Sequence, residues 1–168
     1  MAEVQLKELR SLTVMSRSFT GSYSQTGDQL DELMAWLLRA GHPYSEPPRT
    51  IFYDDPEEVP EEDLRAEVCL PIEEECEARD EVERKRLEAG TFACLMHEGA
   101  YEGIRDKYEQ IFDWIDENGY EYIKEMGVRE VLHTIIGETQ EQEELLTEIR
   151  VPVRETETGE ETDEEEAE

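Results

Sequence analysis

Basic residues are scarce in this chain. Its 168 residues include 16 lysines and arginines against 46 aspartates and glutamates, a formal net charge of −30. No basic stripe exists to displace the counterions of a phosphate backbone, so direct nucleic-acid binding is excluded. Cysteine is scarce too. Cys69, Cys76 and Cys94 cannot all pair within one chain, and their spacing matches no zinc or redox motif. They read as buried thiols, which fits a reducing compartment. No apolar run reaches the length of a membrane span, and the first residues lack a signal-peptide core. A soluble, cytoplasmic protein is the expectation. The acidic segment from Asp54 to Asp63 lacks the glycine and alternating spacing of a calcium loop. Neither a metal nor a cofactor is expected.

What is present is a repeat. Gly21, Tyr23, Asp28, Trp36 and Gly41 recur 78 positions later as Gly99, Tyr101, Asp106, Trp114 and Gly119, so the only two tryptophans occupy equivalent places. Glu67-Val-Cys-Leu-Pro-Ile matches Glu148-Ile-Arg-Val-Pro-Val at a slightly larger offset. Two copies are too few for a solenoid. One globular domain of two similar halves, with a groove at its centre, is the simpler product.

Each half reads as strand, helix, strand, strand. Val4 to Phe19 is an extended, kinked strand. Leu30, Leu33, Met34, Leu37 and Leu38 then form one apolar helix face over about Gln25 to Arg39, stopped by Gly41. Thr50-Ile-Phe-Tyr and Leu64 to Leu70 are short strands. Residues 73–87 are charged and read as a solvated linker, in part helical. The second half repeats the plan with a strand at Thr91 to His97 and a helix at about Tyr101 to Glu117. That helix carries Ile104, Tyr108, Ile111, Phe112 and Ile115 inward, and strands follow at Val128 to Ile135 and Leu145 to Val153. The modules therefore span about 1–72 and 88–153. Residues 154–168 hold nine carboxylates and one arginine, about −8, and read as a disordered acidic tail.

These residues carry a resemblance. Ala93-x4-Glu98-Gly-Ala-Tyr-Glu, Trp114, Asn118-Gly-Tyr, Arg129-Glu-Val-Leu and Glu148-Ile-Arg-Val-Pro-Val resemble the GyrI-like, or AraC-type, bacterial effector-binding domain. Ile51-Phe-Tyr-Asp-Asp-Pro and Glu67-Val-Cys-Leu-Pro-Ile supply the matching first half, so the resemblance covers residues 1–153. It implies an α+β fold: two pseudo-symmetric β-α-β-β modules in a curved antiparallel sheet, helices on one side and a ligand groove on the other. It further implies a stand-alone transcription-regulator-type domain that captures an apolar or aromatic, cationic small molecule, in the manner of multidrug recognition. Two other readings accompany it: a hydrolase acting on reactive small molecules through the same groove, and a protein that binds gyrase or a regulator. Past Leu132 the sequence departs from the family with His133-Thr-Ile-Ile-Gly, so that rim should differ.

By resemblance Glu130 sits at the family's pocket carboxylate. Independently, it interrupts an apolar strand of Val128, Val131 and Leu132, where a carboxylate is desolvated unless a cation or donor compensates. It would serve as a recognition charge, or activate water if the protein is an enzyme. Phe52, Tyr53, Tyr23 and Tyr101 are the aromatic candidates, since ring faces attract cations. Strand periodicity puts Phe52 and Tyr53 on opposite faces, and Tyr53 is preferred for its phenol. Trp36 and Trp114 read as core. His97 beside Glu98 offers a proton relay with no nucleophile placed to use it.

Overall fold

The computed structural model describes residues 3–73, 76–79, 81–99, 103–134 and 146–156. Tyr101 and the acidic run after Thr156 lie outside them. Among these residues nine strands and two α-helices follow in order: β1 (Gln5–Leu9), β2 (Leu12–Thr20), α1 (Thr26–Arg39), β3 (Arg49–Phe52), β4 (Arg65–Pro71), β5 (Glu83–Leu87), β6 (Gly90–Glu98), α2 (Ile104–Glu117), β7 (Tyr120–Tyr122), β8 (Val128–Thr134) and β9 (Leu146–Glu155). All ladders are antiparallel, in the order β1-β6-β9-β8-β3-β4-β2-β5, with β7 pairing the end of β9. No helix among the described residues is long and apolar enough to cross a membrane.

Each helix exists because one face is apolar. In α1, Leu30, Leu33, Trp36 and Leu37 recur at three- and four-residue steps and bury against Met15, Phe19, Val68 and Leu70 of β2 and β4. In α2, Ile104, Ile111 and Ile115 do the same against Leu95, Ile149 and Val151 of β6 and β9. Both helices have 14 residues and begin 78 positions apart. Both stop at a glycine in the left-handed region, Gly41 at φ +84° and Gly119 at φ +78°, where a side chain would be strained. The helices share one side of a curled sheet.

The other side is closed by the chain itself. β1 and β2 are nearly continuous, as are β5 and β6, and the two form one long crossing ribbon. Its register runs through without a slip: Leu9 faces Gly90, and three residues on, Leu12 faces Leu87. The outer strand of each half-sheet is thus lent by the segment leading into the other half. This accounts for the kink expected within Val4 to Phe19, at Arg10-Ser11.

It also corrects the reading of residues 73–87 as a solvated linker, because the last third of that segment is β5. Four of its five side chains are charged, so no apolar pattern marks it. It is a strand because the edge of β2 needs backbone partners, and Leu87 anchors it beside Val14, Ile51 and Cys69.

Candidate functional site

The middle of the sheet is the β3–β8 ladder, in which Thr50 faces Glu130 and Phe52 faces Val128. Directly paired residues share a face, so all four point to the helix side. α1 packs chiefly on β2 and β4, and α2 on β6 and β7, which leaves β3 and β8 as the floor between their footprints. Glu130 is buried there, at 6% exposure. The phenol of Tyr108, reaching in from α2, donates a hydrogen bond to its carboxylate. Glu130 therefore does not point into solvent, and it stands on the helix side of the sheet, not on the helix-free side where the resemblance puts the groove.

Two predicted aromatics share this face. Phe52 meets Tyr23 edge-on, ring centroids 4.7 Å apart. The Tyr23 hydroxyl donates to the Arg65 carbonyl at 2.8 Å and accepts from the Asp54 amide at 3.1 Å. Burial first of all pushes its pKa up. Leu132 lies on the same side, tied to the Pro48 carbonyl through its amide at 2.9 Å. Trp36 belongs to the core beneath α1, and Trp114 stacks on Tyr120 at 6.0 Å. His97 is buried on β6.

Tyr53 is on the opposite face. Its hydroxyl donates to Glu67, and burial, then that bond, drive its pKa far above the phenol range. Lys85 holds the same carboxylate at 2.9 and 3.1 Å. Tyr53 and Glu67, with Ser18, Lys124 and Glu125, line a cavity of about 530 Å³. A second cavity, about 210 Å³, is lined by Tyr44, Glu46, Pro48 and His133 among others. Glu130 lines neither. The preference for Tyr53 over Phe52 thus parts from the choice of Glu130, because one site cannot draw on both faces.

Sequence reasoning missed three things here. Tyr108 was legible as the helix residue standing where the first half has Leu30, a hydroxyl in place of an apolar group. Glu67 and Glu148 head the two matching strand segments, yet nothing near them in sequence shows that both are buried at 2% exposure. Arg49 and Arg129 are also buried, at 3% and 7%.

A family model described as the GyrI-like small molecule binding domain matches residues 2–154. DNA gyrase inhibitor 2 of Dickeya dadantii (strain 3937) is 28% identical over 101 residues, 58% of this chain and 64% of that protein. The C-terminal domain of EcmrR superposes with a TM-score of 0.83 at 22% identity, covering 93% of this chain and 99% of that domain. In the EcmrR–DNA complex the same likeness spans 58% of the EcmrR chain. SAV2435, solved bound to tetraphenylphosphonium, superposes with a TM-score of 0.60 at 14% identity over 90% of this chain and 94% of its own. At such identities the solved structures show a shared fold.

Proposed function

The chain belongs to the GyrI-like small-molecule-binding family, and from that premise we propose that it captures an aromatic cation on the floor between its two helices. The observation that carries this is Glu130, a buried carboxylate at the centre of the sheet, engaged by the Tyr108 phenol. Glu130 supplies the recognition charge and Tyr108 orients it. Phe52 and Tyr23 offer aromatic surface, where a desolvated cation gains up to about 2 kcal/mol. Tyr101, the repeat equivalent of Tyr23 and outside the described residues, is proposed as a further aromatic of the wall. Tyr53 does not. The protein is read as a regulator-type sensing domain built from two modules of one plan, about 1–72 and 88–153, acting inside the cell.

The probe is tetraphenylphosphonium, the cation bound by SAV2435, with tetraphenylborate as an equally shaped anion. At fixed ionic strength the cation should raise the melting midpoint by roughly 5–10 °C at a hundredfold excess over its dissociation constant. The borate should not. Glu130→Gln should weaken cation binding at least tenfold, and Tyr108→Phe less. Equal affinity for wild type and Glu130→Gln would place the charge elsewhere and sink the proposal. Release of a hydrolysed product from a reactive substrate, lost in the same variant, would convert the sensor into an enzyme.

The name of the Dickeya relative favours a second reading, a gyrase-directed role. It expects inhibition of gyrase supercoiling that survives Glu130→Gln.

A further inference from the structure

The helix-free face of the sheet is enclosed by the crossing ribbon and is unusually cationic for this chain. Lys7, Arg49, Lys85, Arg129 and Arg150 project from it, five of the sixteen lysines and arginines. Two buried carboxylates, Glu67 and Glu148, face these five cations in a molecule of −30. Both carboxylates are committed. Glu67 takes Lys85 and Tyr53, while Glu148 takes Lys7 at 2.8 Å, His133 at 2.8 Å and Arg150 at 2.9 Å. At the rim, half-buried Glu46 lies 3.8 Å from Arg49, beyond hydrogen-bond reach, and is itself bridged to Arg10. Exposed Glu83 sits at the end of β5 on this face.

Arg49 and Arg129 are what remains. One Arg49 nitrogen, Nη2, donates to the Pro47 carbonyl at 3.0 Å, and Arg129 lies over the Phe92 ring, 4.8 Å from its centroid. The Nε–H of each finds no acceptor among the described residues, although the side chains are 3% and 7% exposed. The Ser16 hydroxyl is a third such group on this face, in the row Ser16–Cys69–Arg49. Burial, then repulsion from Arg150, pulls Arg49 down to about 10, and burial foremost lowers Arg129. Two like charges out of water, each with a donor left unspent, are costly, and a shared counter-charge removes that cost. The register supplies the spacing. Arg49 faces Val131 while Arg129 sits two residues before it, a diagonal pair on adjacent strands roughly 7 Å apart.

We propose that a small inorganic anion, a halide or a tetrahedral oxyanion, binds between Arg49 and Arg129 inside the curled sheet. Guanidinium donors suit either, because the Nε–H of each arginine is left unspent. The site is on the opposite face from Glu130 and does not depend on the reading of that residue.

The experiment compares melting midpoints in chloride, bromide, sulfate and gluconate at one ionic strength, so that screening of the −30 surface is common to all. Gluconate is too large to enter. Wild type should melt several degrees higher, and saturably, in the anion that binds. Arg129→Met should abolish that difference and lose nothing in gluconate. A single midpoint in all four salts, or an anion preference that persists in Arg129→Met, would overturn the proposal. Should Arg129→Met not fold, wild-type crystals grown in bromide or in sulfate decide it. An anomalous bromide peak or tetrahedral density between the two guanidiniums is expected, and water alone there rejects the site. The salt that gives the signal separates halide from oxyanion.

Discussion

Glu67 and Glu148 occupy matching strands, are equally buried, and are compensated by different means. Each receives a lysine from the crossing ribbon, Lys85 opposite Val14 in one case and Lys7 opposite Phe92 in the other. Each also receives a hydrogen bond from a residue just past the central ladder, Tyr53 for Glu67 and His133 for Glu148. They diverge two residues further along the strand. There the first half has Cys69, and the second has Arg150, which bonds Glu148 at 2.9 and 3.1 Å. One carboxylate therefore depends on a lysine and a neutral phenol, the other on a lysine, an arginine and an imidazole. Similar burial can be compensated by hydrogen bonding or by surplus charge, and the choice decides which half fails under which condition.

Removing the carboxylates should expose this first. Glu148→Gln leaves part-buried Arg150 without its counter-charge and should cost about 3–5 kcal/mol in urea unfolding. Glu67→Gln leaves only Lys85, more than a third exposed and able to turn outward, and should cost less, about 1–3 kcal/mol. Equal losses would erase the distinction.

The pH limits should come next. Burial pushes Glu148 up, but His133, Lys7 and Arg150 together outweigh it and hold the carboxyl well below its ordinary range. Its contribution is complete above about 4.5, the unfolded value, and is lost as pH falls toward the folded one. Tyr53 is raised, so its contribution is complete below about 10 and is lost as pH climbs beyond it. Tyr122 and Cys94, both pushed up to about 12 chiefly by burial, add to that alkaline loss. Chemical denaturation from pH 3 to 11 should show Glu148→Gln flattening the acid limb alone. Tyr53→Phe should soften the alkaline limb without abolishing it. The smallest expected effect is His133→Tyr, which gives the second half the first half's phenol. It keeps one donor to Glu148 and should move stability by no more than about 1 kcal/mol.

Periodicity located both helices well, since their apolar faces decide where they pack. α1 starts one residue from the expected Gln25 and α2 three from Tyr101. β5 was invisible because Glu83-Arg-Lys-Arg carries no alternation, and only the backbone of β2 requires a strand there. Burial of Glu130 was legible from its apolar neighbours. Its partners were not, because the side it shares with Phe52 rather than Tyr53 follows from the β3–β8 register, a fact about pairing and not about either strand alone. The Glu148 network was out of reach for the same reason: Lys7, which holds it, stands 141 positions away.

The unbroken register of the crossing ribbon fixes when this molecule can fold. The free edge of β2 waits for β5, some 70 residues later in the chain, and at roughly 5–20 residues per second that delay is about 4–14 s on the ribosome. Through that interval the first half stands with an unpaired strand edge, the kind of surface that templates aggregation. Residues 1–82 already carry a formal charge of −13, and like-charged nascent chains repel one another. The scarcity of basic residues thus acts in synthesis, as a guard on a domain that cannot close until its second half arrives.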